Sequence, residues 1–266
     1  MRIVSVVCGL LVLVLAASIF WIASGCGGAV SKQYRPQGEV KSFDNSDWQK
    51  VLDAAVTDDG YVKYDVLTSN QNGTKDALLR YCGLINTVAP HNKPELFATD
   101  ADKLAYYINA YNALCMYGIL QKNLPSNVKD SGIFLLSFFP VGGQSVNLDS
   151  LEKKWVRAAG DPRVHFALNC MSTSCPPLRK EPYSGPKLND QLNDQGRKYL
   201  SDPRGAVRDG DKVKLGEIFK FYEKEFIDAY KKQSGKQDAG LLEAIQQYAG
   251  PDSPATVRGG TRSGCG

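Results

Sequence analysis

Histidine is scarce in this sequence, which has only His91 and His165 among 266 residues. Its seven cysteines contain no Cys-x-x-Cys spacing, so a redox motif of that type and a zinc ribbon are both excluded. Too few imidazoles are present to favour a structural zinc site. We therefore predict no metal and no cofactor.

Excess charge of one sign is also missing. Lys and Arg number 32 and Asp and Glu number 28, and no basic stripe alternates with aromatic residues. A nucleic-acid partner is therefore not expected. The sequence has neither an internal repeat nor heptads, and its length and 43% hydrophobic content suit one folded domain.

One long uncharged run is present, from Ile3 to Ala23, after the single charge of Arg2 and before Ser24-Gly25-Cys26. This pattern resembles a bacterial lipoprotein signal, in which Cys26 would receive the lipid. The run is also long enough for an uncleaved anchor. Both alternatives predict export, with the membrane as a partner and the domain at the periplasmic or extracellular face of the cell envelope.

The chain divides into four predicted parts: a signal peptide or anchor at 1–25, a flexible tether at 26–42, a globular domain at 43–249 and a disordered tail at 250–266. Caps and apolar spacing within the domain predict mainly helices. The apolar run 133–139 is expected to be buried. We predict an α+β fold, mostly helical, with a small β-sheet. The predicted helices begin near 46 and cover about 74–88, 99–121, 148–158, 188–200, 217–232 and 239–248, with a strand at 164–169 and a hairpin turn at Asp209-Gly210.

The segment from Arg163 to Leu178 holds the most chemistry, because it combines His165 with two thiols and two prolines. Strand alternation over 164–169 would place Arg163, His165 and Asn169 on one polar face. The Cys175-Pro176-Pro177 step then predicts a stiff loop, since proline removes a backbone donor.

Two asparagines lie within an otherwise apolar helix. Tyr106, Asn109 and Asn112 are spaced three apart and share one helix surface. Their amides either bind the buried backbone of a neighbouring loop or line a pocket and orient a ligand or an imidazole.

Three collinear segments carry a family resemblance. They are Asp59-Gly60-Tyr61-Val62-Lys63-Tyr64, residues 105–114, and residues 164–170 with Ser174-Cys175-Pro176-Pro177-Leu178. The chain resembles, over roughly 45–230, the family catalogued as domain of unknown function 547. Met171 stands where that family more often has a small residue. The resemblance implies no activity.

Two interpretations of the motif remain open. In the first, His165, Cys175 and Asn109 are catalytic, and Tyr106, Asn112, Arg163 and Asn169 bind an unknown small molecule or peptide, giving a hydrolase-like or transferase-like pocket. Its arrangement loosely resembles papain-like and transglutaminase-like folds, although no cysteine stands at the helix start.

In the second, Cys170 and Cys175 form a disulfide and the protein is a non-catalytic binding or scaffolding module whose motif residues are structural. Under either interpretation, Glu223 and Glu225 are expected to lie on a solvated helix face.

Overall fold

A computed structural model describes residues 29–256. The predicted signal or anchor, Cys26 as the predicted lipid acceptor, and Cys265 lie outside the described residues. Within 29–256, no helix combines the length and the apolar character that crossing a bilayer requires.

The fold is a mostly helical α+β domain, as the sequence predicted. About 51% of the described residues are helical, and the strands form two antiparallel pairs, β1 with β2 and β3 with β4. The elements are α1 Ser46–Ala55, α2 Tyr64–Thr68, α3 Thr74–Thr87, α4 Asp100–Gln121, β1 Phe138–Val141, β2 Gln144–Asn147, α5 Leu148–Leu151, α6 Val164–Ala167, α7 Leu188–Ser201, β3 Ala206–Asp209, β4 Lys212–Leu215, α8 Glu217–Ser234 and α9 Leu241–Gln246.

Helix α4 runs through the core. Thr99 caps its N-terminus by accepting a hydrogen bond from the Asp102 N–H, and the Asp102 carboxylate accepts one in return from the Thr99 N–H. This capping box fixes where the helix begins. Every residue from 105 to 119 is buried, so α4 presents polar side chains to the protein interior rather than to water.

The segment 133–139 differs from its prediction. Ile133 and Phe139 are buried, but Leu135, Leu136 and Phe138 are exposed. Turns precede a β1 strand that pairs with β2, and strand geometry sends alternate side chains to opposite faces. An apolar run therefore did not indicate burial of every residue.

Both ends of the domain extend beyond the predicted boundaries. Val30 is buried and the Tyr34 hydroxyl donates to Asp76, so this part of the predicted tether packs on α3. At the other end, Ser253 and Ala255 are buried, and the Ser253 hydroxyl donates to the Leu200 carbonyl. Residues 250–256 of the predicted tail are thus part of the fold.

Candidate functional site

His165 lies on the short helix α6, not on the predicted strand. Residues 164–167 are all buried, with Phe166 in an aromatic cluster beside α8 and Val164 in the main core. The alternation of polar and apolar side chains cannot distinguish a strand from a helical turn in this segment. All four side chains are buried, so no exposed polar face marks the backbone form. The predicted similarity to papain-like folds depended on a strand that carries the histidine, whereas His165 lies on a helix.

Helix α8 holds the imidazole in place. Nε2 of His165 lies 2.8 Å from Oε2 of Glu225. The Tyr222 ring stacks on the imidazole with a centroid separation of 3.6 Å and an interplanar angle of 13°. Tyr222 lies at a kink in α8, where its φ is −120° and its ψ is 18°, and Glu225 follows three residues later.

A helical run after α5 supplies the remaining charged groups. Glu152–Val156 forms a π turn and Arg157–Ala159 a 3₁₀ turn; π turns inside helices often occur at functional sites. The Tyr222 hydroxyl donates to Glu152 over 2.8 Å. Arg157 binds Glu225 through Nε at 3.0 Å and lies over the Tyr222 ring, 5.1 Å from its centroid.

Burial sets the protonation of these groups. It lowers the pKa of His165, and the hydrogen bond with Glu225 offsets this only in part. Burial also raises the pKa of Glu152, against the hydrogen bond from Tyr222. For Glu225, burial alone would raise the pKa, but the hydrogen bonds from Arg157 and His165 outweigh it and lower the pKa.

These directions define a tautomer. Glu225 is ionised at neutral pH and can only accept a hydrogen bond, whereas His165 is neutral. Nε2 therefore carries the proton, and Nδ1 carries the lone pair.

A cavity of about 250 Å³ opens beside this cluster. His165, Glu152 and Tyr222 line it, together with Cys170 and Cys175, the two cysteines of the loop 170–175 that we call the motif loop. Its other lining residues are Tyr111, Lys129, Phe134, Asp149, Leu168, Ser172, Ser174, Pro176, Glu217, Ile218 and Phe221.

The amides of Asn109 and Asn112 hold loops. Asn109 bonds both the N–H and the carbonyl of Tyr183, at 2.9 and 2.8 Å. Asn112 accepts from the Asn169 N–H at 2.8 Å and donates to the Ala167 carbonyl at 2.9 Å. Neither asparagine is among the described residues that line the cavity. Both amides thus bind the backbone of neighbouring loops, and their predicted catalytic and ligand-binding roles stay predictions.

Three further predicted binding residues also contact protein groups. The Tyr106 hydroxyl donates to the Val88 carbonyl at 2.7 Å. Arg163 pairs with Asp161 and donates to Asn189 and Asn193. The Asn169 side chain donates to the Pro176 carbonyl and accepts from the Met171 N–H, and so ties the two ends of the motif loop together.

Cys170 and Cys175 are joined in a disulfide, with their Cα atoms 6.2 Å apart. In this state neither sulfur is a thiolate nucleophile. Met171 has a φ of +62°, a left-handed conformation that costs a non-glycine residue about 1–2 kcal/mol. Because this cost comes from Cβ, only glycine among the small residues would escape it.

The sequence alone does not identify the polar and charged residues that surround His165. The sequence predicts a solvated face for Glu225 and indicates no role for Glu152, Arg157 or Tyr222. One signal was available: Glu225 borders the stripe formed by Phe219, Tyr222 and Phe226. Over residues 29–256, no three His, Cys, Asp or Glu side chains are grouped to hold a metal ion.

One part of the chain matches a known family model. The model of the family described as "Protein of unknown function, DUF547" matches residues 96–200. The match supports the DUF547 family. It includes α4, α6, the motif loop and most of α7, but no part of α8, which carries Glu225. No curated protein and no solved structure matches the chain.

Proposed function

We propose that the cavity at His165 performs general acid–base chemistry, of a hydrolase-like or transferase-like kind, on a small molecule or peptide. The observation that carries this proposal is the contact between His165 and Glu225 beside the cavity. A carboxylate behind an imidazole fixes its tautomer and stabilises the imidazolium that forms on proton uptake. Nδ1 of His165 is then the proton acceptor.

Glu152 is the proposed proton donor. Its raised pKa keeps part of the population protonated above the usual range for a carboxyl group. Tyr222 remains protonated, because burial and the charge of Glu152 raise the pKa of its hydroxyl. A carboxyl group with a raised pKa and a neutral imidazole border one cavity, and such a pair can give and take protons.

Hydrolysis of p-nitrophenyl acetate tests the base. We expect His165→Gln to lower the rate about tenfold or more, the lower end of general-base effects. In the wild type the rate should fall as the pH drops through the His165 pKa, which burial lowers below its ordinary value. Protonation of Nδ1 removes the lone pair, so activity is present above this pKa and lost below it.

Two variants make this assay specific. His91→Gln changes the only other histidine, which is exposed and stacks on Trp155, and it should leave the rate unchanged. Glu225→Gln should move the inflection to lower pH, because the carboxylate stabilises the imidazolium. Equal rates for wild type and His165→Gln would contradict the proposal.

The alternative is a non-catalytic binding or scaffolding module. It is favoured by the three asparagines of the motif, whose amides all bind the protein's own backbone. In that case neither histidine variant changes the hydrolysis rate, and His165→Gln lowers the melting temperature through loss of the Glu225 contact.

We further propose that the protein is exported and tethered through a lipid on Cys26, with an uncleaved anchor as the alternative. The support is the uncharged run before Ser24-Gly25-Cys26. An alkyne fatty acid fed to expressing cells should label the wild type and Cys8→Ser but not Cys26→Ser. Equal labelling of all three, or none with the full-length mass retained, would contradict lipidation at Cys26.

A further inference from the structure

The two sulfurs of the Cys170–Cys175 disulfide have different surroundings. Sγ of Cys175 accepts a hydrogen bond from the Cys170 N–H at 3.2 Å and another from the Ser172 hydroxyl at 3.4 Å. The Ser172 hydroxyl also lies 3.3 Å from Sγ of Cys170, and its single proton can serve only one sulfur at a time, so the Cys170 N–H is the donor that distinguishes Cys175. Sulfur in a disulfide is a weak acceptor, whereas the same donors stabilise a thiolate strongly. The loop is thus arranged to stabilise negative charge on Cys175.

Hydrogen bonds as well as the disulfide hold the loop between the two cysteines in place. Asn169 binds the Met171 N–H at 2.6 Å and the Pro176 carbonyl at 2.7 Å, next to the two cysteines. Asn112 in turn fixes the Asn169 backbone. Cleavage of the S–S bond would therefore leave both ends of the loop attached to α4.

Access to the two sulfurs also differs. Both cysteines line the cavity, but Cys175 is 7% exposed whereas Cys170 is half-buried. An incoming thiol accordingly reaches Cys170 first. The other described cysteines, Cys82 and Cys115, are wholly buried, and burial raises the pKa of both thiols.

We propose that Cys170–Cys175 is a redox couple that exchanges with small thiols entering the cavity. A thiolate attacks Sγ of Cys170, the S–S bond breaks, and its electron pair leaves on Cys175 as a thiolate. A second thiolate attacks the outer sulfur of the mixed disulfide and releases Cys170. Two small thiols are oxidised to one disulfide, and the protein disulfide gains two electrons to become a dithiol.

The attack occurs at Cys170 rather than at Cys175, because exchange is faster when the departing sulfur is better stabilised as a thiolate. The reduced protein then presents Cys175 to the same cavity as His165. The inference shares that cavity with the proposed function but not its chemistry, so each can fail without the other.

Differential alkylation of the full-length protein tests the couple. The protein is equilibrated in glutathione buffers of increasing reducing strength, quenched with acid, alkylated and read cysteine by cysteine by fragmentation mass spectrometry. We expect Cys170 and Cys175 to become labelled together while Cys82 and Cys115 stay unlabelled, with a glutathione adduct on Cys170 as intermediate. An adduct mainly on Cys175, or labelling only after denaturation, would overturn the proposal.

A matched pair of serine variants tests the hydrogen bonds. In the reduced protein, alkylation of Cys175 at about pH 6, where an ordinary thiol is protonated, should keep a fraction of its rate at about pH 9 that is about tenfold larger than the fraction kept by Cys170. This ratio cancels the difference in access between the two sulfurs. Ser172→Ala should lower the fraction for both cysteines, because the hydroxyl lies within reach of both sulfurs. Ser174→Ala should leave both fractions unchanged, because the Ser174 hydroxyl contacts Ser172 and not a sulfur. Equal fractions for the two cysteines would contradict the asymmetry.

Discussion

Asn112→Ala is expected to destabilise the domain by about 2–6 kcal/mol, because each buried backbone group left unpaired costs about 1–3 kcal/mol. The two groups are the Asn169 N–H and the Ala167 carbonyl, bonded at 2.8 and 2.9 Å. Both lie in the interior beside α4, where water cannot replace the lost partner. Urea denaturation followed by circular dichroism measures the change.

Asn127→Ala is the control for this substitution. Asn127 is exposed and bonds Asp130 and the Lys129 N–H, which water can satisfy once the amide is gone. Its loss should cost about 0.5 kcal/mol or less, the usual effect of a surface substitution. A comparable loss in the two variants would show that the Asn112 hydrogen bonds do not hold the loop.

The same contacts connect three parts of the motif. Asn112 lies on α4 and binds the backbone around Ala167 and Asn169, and Asn169 binds the ends of the disulfide loop. Hydrogen bonds therefore connect the central helix α4, through Asn112 and Asn169, to the loop that carries the two cysteines. Asparagine suits this position because one amide both donates and accepts.

The longer helices were predictable because their ends are coded locally. Thr99 and Asp102 form a capping box that depends only on residues three apart. The same holds for the apolar stripe of α1, whose Trp48, Val51 and Leu52 are buried at helical spacing. Such signals require no knowledge of which elements meet in space.

The segment around His165 was not predictable in the same way. Helix α6 has four residues, too few for a period to distinguish a helical turn from a strand. Its backbone form depends on packing between the core and the aromatic cluster around Phe166. His165 was identified as a candidate because histidine is rare, but its surroundings belong to distant parts of the chain.

Glu225 illustrates this limit most clearly. It is 60 residues from His165 along the chain, and their contact exists because α6 packs beside α8. A carboxylate three residues after Tyr222 is compatible with a solvated face and with a buried partner alike. The position of the imidazole decides whether Glu225 faces solvent or a buried partner, and the sequence around Glu225 does not contain that position.

Gly60 provides the second large effect, since Gly60→Ala should cost about 2–5 kcal/mol, the sum of a conformational and a packing cost. Gly60 has a φ of +79°, where a Cβ costs about 1–2 kcal/mol. That Cβ would also lie 2.5 Å from Cβ of Pro177 and 2.7 Å from the Leu178 nitrogen. Overpacking of this kind adds about 1–3 kcal/mol. Chemical denaturation measures the sum.

Gly143→Ala separates the two contributions. Gly143 has nearly the same φ, +82°, but no atom lies within 4 Å of the place that a Cβ would take there. Its cost should therefore be the conformational part alone, about 1–2 kcal/mol. The excess at Gly60 measures how firmly the Pro177 segment rests on the turn, to which Leu178 also donates a backbone hydrogen bond at 3.0 Å. Equal losses would mean that the loop yields to the methyl group, and the early Asp59-Gly60-Tyr61 motif would then have no part in holding the disulfide at the cavity.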